Sequence, residues 1–260
     1  MEAKISAYIR EAQKTLEPLV HGEQITKEPT SALWNRPLAE TIFKKIYCTD
    51  FFREYRECLL YPGVKGTFFR QRRISFPDCN WTIVQTLLKS NGITYSEVHQ
   101  SLQKIRFIQD VIGVSVVLSE KAVYSADPDK IRLPWILTFR SWEAFWHTFF
   151  HELGHFTGGH NRLRSYLYDQ GLEQRKLSSP ESGKEEAIAE LVAMTMTHLF
   201  LRKNQEFRRT QQIGIRYVLR FLNNIPKEER RDKLEQAVLE AKEACLFVFE
   251  TMPLLPTLFV

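Results

Sequence analysis

Apolar positions recur at helical spacing through several long stretches of the chain, and only briefly with the two-residue period of a strand. In residues 2–19, Ile5, Tyr8, Ile9, Leu16 and Leu19 share one face and predict a first helix. Residues 21–37 are polar and broken by Pro29 and Pro37, which reads as a loop. A broad apolar stripe (Ile42, Phe43, Ile46, Tyr47, Phe51, Phe52) predicts a helix over 38–60, ended by Tyr61-Pro62-Gly63. Residues 66–76 mix aromatics with arginines and read as a strand or extended loop. Residues 80–90 resemble a short helix that stops at Asn91-Gly92, and 96–112 a longer one closed by Gly113.

The middle of the chain changes character. Residues 114–118 (VSVVL) are rich in β-branched side chains and form the best strand candidate. Residues 123–126 and 130–133 flank an Asp127-Pro128 turn and predict further short strands. Beyond Pro134, Ser141 can cap a helix running from Glu143 to about Phe156, and Gly158-Gly159 stops it. A polar stretch over 161–184 precedes a strong helix expected from about Glu185 to beyond Phe200. Amphipathic segments at 205–222 and 227–250, joined by Asn223-Asn224-Ile225-Pro226, close the chain. The sum is a helix-rich α+β fold with a small central sheet. The apolar chain end, 252–260, is expected to dock on the body of the protein.

Composition adds bounds rather than a function. At 260 residues the chain has room for one large domain, or for a main domain with an extension. A hydrophobic fraction of 43% allows a core without staples. The net charge of +5 tolerates an acidic partner without demanding one. Cys48, Cys58, Cys79 and Cys245 form no C-x-x-C pair, so they read as buried free thiols of a reducing compartment. No apolar run approaches the ~20 residues that span a bilayer, and residues 1–16 lack the apolar centre of a secretory signal. A cytoplasmic protein with no membrane partner is expected.

One segment carries chemistry. In HTFFHELGHFTGGH, His151 and His155 are four residues apart and lie on one helix face, able to present two imidazoles to one divalent metal ion, Zn2+ first of all. Glu152, next to the first histidine, can hold a water and act as general base. The aromatic flank (Phe145, Trp146, Phe149, Phe150) predicts a buried helix, in which two histidines need partners. A catalytic zinc takes three protein ligands and leaves one position open. His160 is an alternative third ligand, but it stands one residue early for the glycine-then-histidine pattern, where Asn161 occupies the expected place. Glu186 and Glu190, four apart on the next helix, are the stronger pair. Glu186 is assigned as ligand and Glu190 as the carboxylate that orients a ligand histidine through its free ring nitrogen. Glu185 reads as a solvated first-turn residue favoured by the helix dipole.

The run from Tyr124 through Asp129 to Pro134, then Phe139, HELGHFTG, Arg162-Leu163 and EEAIAEL, resembles the metallopeptidase-like domain of ArdC-type antirestriction proteins, carried by plasmids and other mobile elements. The tail from Ile213 to Ala244 is similar to that domain's closing helices. The resemblance spans roughly residues 105–250. It implies a zincin-like fold over 101–260, a short sheet whose edge strand borders the cleft, one zinc ion on His151, His155 and Glu186, and Glu152 as base. Where family members often carry histidine directly after Thr-Gly, this chain has Gly159. Residues 1–100 read as a helical N-terminal region without the family's recognisable single-stranded-DNA-binding domain.

Basic residues (Lys44, Lys45, Arg53, Arg56, Lys65, Arg70, Arg72, Arg73) nevertheless interleave with aromatics there, as single-strand binding requires. The helical spacing of the aromatics, and Asp50, Glu54 and Glu57, favour a core with a solvated face. Arg70, Arg72 and Arg73 stand as candidate nucleic-acid contacts. Two functions follow: a zinc peptidase acting on a protein or peptide, or a single-stranded-DNA-binding antirestriction protein whose metal domain is mainly structural.

Overall fold

The computed structural model describes residues 1–20, 33, 95–119, 121–126, 129–134, 136–159, 162–163 and 180–259. The helix, strand and short helix expected between 38 and 90 lie outside the described residues. The described residues form six α-helices and a three-stranded sheet: α1 (Glu2–Leu16), α2 (Tyr95–Ile112), β1 (Ser115–Leu118), β2 (Val123–Ala126), β3 (Asp129–Leu133), α3 (Trp142–Thr157), α4 (Pro180–Phe200), α5 (Gln205–Leu222) and α6 (Arg230–Thr251). The chain is helix-rich α+β.

Gly113, at φ +69°, turns the chain from α2 into β1 in a conformation that favours glycine. The strand order is β1-β3-β2. β1 runs parallel to β3, with Val116 opposite Ile131, and β2 runs antiparallel to it, with Tyr124 opposite the same Ile131. Val116, Tyr124, Ala126, Ile131 and Leu133 are buried, and β2 and β3 pack on α3. The edge strand β2 therefore runs beside the helix that carries HELGH.

Ser141 caps α3, its hydroxyl accepting from the Ala144 backbone N–H at 3.1 Å. Phe145, Trp146, Phe149 and Phe150 are almost wholly buried, which fixes this helix in the core. α4 is the centre of the molecule. Ala187 to Ala189 and Leu191 to Met194 are buried, so it is apolar nearly all round, as a helix packed on every side must be. It contacts α3, α5, α6 and α1.

α4 begins at Pro180, five residues before the expected start. Proline suits a first helical position, and the turn that follows (Glu181 to Lys184) has no apolar period that would reveal it. Gly183 lies close to the end of α5: a Cβ there would come within 2.7 Å of the Phe221 carbonyl oxygen. That close packing is tertiary and leaves no trace in local periodicity. The chain end docks as expected. Leu255 is buried, and the Phe259 ring meets Trp146, Phe150 and Phe200 at centroid distances of 4.8, 5.9 and 5.2 Å.

Candidate metal centre

α3 and α4 cross where Gly154 faces Ala189. A Cβ on Gly154 would stand 2.8 Å from the Ala189 Cα, closer than real contacts allow. Only a small residue on each helix permits this approach, and it brings the Glu186 side chain to the two histidines. His151 Nε2 and His155 Nε2 are 3.2 Å apart. Glu186 Oε2 lies 3.3 Å from the first and 3.6 Å from the second. These three residues are the group among the described residues whose donor atoms could share an ion.

The triangle can be tested against zinc. An ion with tetrahedral bonds of about 2.0–2.1 Å holds its ligand atoms roughly 3.3–3.4 Å apart. The observed separations bracket that value, and two imidazoles with one carboxylate are a donor set zinc accepts. The residues fit the ion. Their side chains are 12, 13 and 19% exposed, largely but not wholly buried.

Each histidine is held from behind. His151 Nδ1 lies 2.8 Å from Glu190 Oε2, and His155 Nδ1 lies 3.3 Å from Glu185 Oε1. If both Nδ1 atoms donate, both Nε2 lone pairs turn towards the triangle. Glu185 thus departs from the expectation of a solvated charge. It is 6% exposed and sits in the second turn of α4 because the helix starts early.

The electrostatics follow from this crowding. Burial disfavours a charged imidazole at His155, but Glu186 and Glu185 more than offset it and raise its pKa to about 9. His151 is likewise raised, against its burial, by Glu186 and Glu190. Burial alone would raise Glu186, yet the two imidazoles outweigh it and hold its pKa far below the usual carboxylate range. Glu152 goes the other way. It is 5% exposed, and burial raises its pKa despite the histidines and a hydrogen bond from the Tyr124 backbone. Edge strand β2 thus touches the proposed base directly.

Next to Glu152, Tyr124 takes part in a second network. The Tyr124 hydroxyl donates to Asp129 Oδ1 at 2.7 Å. Arg162 donates to that hydroxyl, to both Asp129 oxygens and to the Phe156 carbonyl, and lies over the Phe156 ring. This clamp ties the end of α3 to the β2–β3 hairpin. It also explains Gly159, since a Cβ there would collide with the Tyr124 hydroxyl and Arg162 Nη1. A histidine at 159 has no room while the clamp is in place. His160, Arg70, Arg72 and Arg73 lie outside the described residues.

Three residues at the site escaped the sequence reading. Glu185 is one. Another is His147, one turn before His151 and wholly buried, with Nε2 2.6 Å from Glu190 Oε1. Its signal was present: His147, His151 and His155 are spaced by four. The third is Tyr217 on α5, whose ring meets His151 edge-on at 6.0 Å. Burial, then the charges of Glu186 and Glu190, push its pKa up, so the phenol stays protonated.

No curated protein and no solved structure matches the chain. Among protein families, residues 104–231 match the model of MPTase-PolyVal, a zincin-like metallopeptidase.

Proposed function

We propose that the protein is a zinc-dependent peptidase in which His151, His155 and Glu186 hold one ion and Glu152 is the general base. The observation that carries this is the spacing of the three donor atoms, 3.2, 3.3 and 3.6 Å, beside a buried carboxyl that is not one of the three. A purely structural zinc site closes with four ligands and has no use for that carboxyl.

When bound, zinc supplies Lewis acidity towards a carbonyl oxygen and a water molecule. Glu152 takes the proton from the attacking water at its carboxylate and passes it to the leaving amine. Its raised pKa suits both halves of that transfer. Glu190 and Glu185 keep the imidazoles in one tautomer. Tyr217, a neutral phenol against His151, is the proposed hydrogen-bond donor to the oxygen that gains negative charge. The substrate is a protein or peptide. The same proposal takes the protein to be an ArdC-type antirestriction protein from a mobile element. What supports it is that Tyr124, Asp129 and Arg162, which carry the resemblance in sequence, form one contact network.

The test is Glu152→Gln, assayed on a fluorogenic peptide library alongside zinc content. Zinc should stay bound at the parent level while kcat falls by at least about 10²-fold, the usual scale for a lost general base. Unchanged turnover in that variant would sink the mechanism.

A further inference from the structure

His147 is wholly buried and takes no part in the donor triangle. It sits between two residues of α4 that are two turns apart. Its Nε2 lies 2.6 Å from Glu190 Oε1, and its Nδ1 lies 3.2 Å from Thr197 Oγ1, itself fully buried. One assignment of hydrogens satisfies all of these groups. The Thr197 hydroxyl donates to Nδ1, Nε2–H donates to Glu190 Oε1, and Glu190 Oε2 accepts from His151 Nδ1–H. His151 Nε2 is then left as a free lone pair facing His155 and Glu186. The chain of contacts is continuous from Thr197 to the triangle.

The geometry leaves Glu190 little freedom. Gly214 of α5 closes over it so tightly that a Cβ would come within 2.7 Å of Oε1. Removing the His147 donor would leave Oε1 buried without that hydrogen bond. In so tight a site the unsatisfied carboxylate loses the contact that sets its rotation, and its hold on His151 Nδ1 weakens.

We propose that His147 is a positioning residue of the metal centre, holding Glu190 so that Glu190 fixes the tautomer and rotation of His151. The inference rests on the reading of His151 as a zinc ligand and adds a residue outside the HELGH motif to that site. It makes a prediction that a merely space-filling core histidine does not: His147 acts only through Glu190.

The experiment measures zinc affinity of the full chain by competition with a chromophoric chelator, for the parent, His147→Leu, His147→Gln, Glu190→Gln and the double variant His147→Leu/Glu190→Gln. Loss of a carboxylate–histidine support typically weakens metal binding by about 10–100-fold, and that is the expected effect of His147→Leu. His147→Gln, whose amide can donate from the place of Nε2, should escape that roughly 10–100-fold loss and bind close to the parent. The double variant should bind no more weakly than the worse of its two components, because residues acting in one path do not add. The visible spectrum of the cobalt-substituted protein should shift in His147→Leu and keep its parent form in His147→Gln. Thermal melting of the metal-free chains reports folding separately. Should His147→Leu not fold, His147→Gln against His147→Asn replaces it, with the shorter amide expected to bind weakly. Parent-level affinity in His147→Leu, equal losses in the Leu and Gln variants, or losses that multiply in the double variant would each overturn the inference. A parent that binds no zinc would overturn the metal reading and this inference together. A zinc-binding parent with an unaffected His147→Leu would overturn this inference alone.

Discussion

Two carboxyl groups of the site are pushed in opposite directions, which suits them to the different roles proposed for them. Glu186 faces two imidazoles that outweigh its burial, so it stays ionised and suited to a cation. Glu152 is buried with less compensation and is pushed up, which suits a group that must take a proton and return it. In the proposed mechanism Tyr217 is a neutral donor, its ionisation pushed up by burial and by Glu186 and Glu190. In Tyr217→Phe the ring contact with His151 survives and only the hydroxyl is lost. Zinc affinity should then be unchanged while kcat falls by about 10²-fold, the scale of one lost donor to a developing oxyanion. Steady-state kinetics with KM and kcat resolved, together with chelator competition, check this. Parent-level kcat would remove Tyr217 from the reaction.

At the scale of elements, the site is a property of the α3–α4 crossing, and the crossing depends on Gly154. An alanine in a helix is favoured over glycine by about 1 kcal/mol, so Gly154→Ala is locally favourable. Against this stands a collision with the Ala189 backbone, and overpacking of this kind costs about 1–3 kcal/mol. Backbone cannot rotate away as a flexible side chain can, so the collision wins. Gly154→Ala should lower the melting temperature and also weaken zinc binding, because pushing the helices apart draws Glu186 from the histidines. A more stable variant with parent zinc affinity would show that the crossing has slack.

The same crossing explains what sequence could and could not reveal. His151 and His155 share one helix and one face, so local spacing finds them. Glu186 and Glu190 are found the same way, because four-residue spacing among apolar neighbours marks a face turned inward. Glu185 is missed because its burial depends on where α4 begins, and residues 180–184 carry no apolar period to show it. His147 is missed because a strongly aromatic turn reads as core, where a histidine passes for a spacer. Tyr217 comes from a third helix, and no local pattern reports which helix face will meet α3. Residue types within one helix were legible; partners across helices were not.

Over the whole molecule, the ionised cluster links stability to pH and to metal. Without metal, His155 is raised from 6.5 to about 9, so its contribution is fully present below pH 6.5 and fades as pH rises through about 9. Glu190, where the histidines outweigh burial, is lowered from 4.5 to about 2; its contribution is present above pH 4.5 and lost as pH falls through about 2. The two describe one ion-paired cluster, whose stabilisation of the metal-free chain is complete between pH 4.5 and 6.5. Zinc bound as proposed would compete with the protons on His151 and His155, and its stabilisation would follow its affinity. The rise in melting temperature caused by saturating zinc should therefore be small near pH 6 and grow towards pH 8. Thermal melts with and without zinc across that range measure it. A rise independent of pH would mean that zinc binds elsewhere.

The most direct measurement is a crystal structure of the full chain with one equivalent of zinc and an anomalous map at the zinc edge. One strong peak is expected about 2.0–2.2 Å from His151 Nε2, His155 Nε2 and a Glu186 carboxylate oxygen, with Glu152 beside it and unbound. A peak on other residues, a fourth protein ligand closing the site, or no peak at full zinc loading would contradict the proposed metal centre.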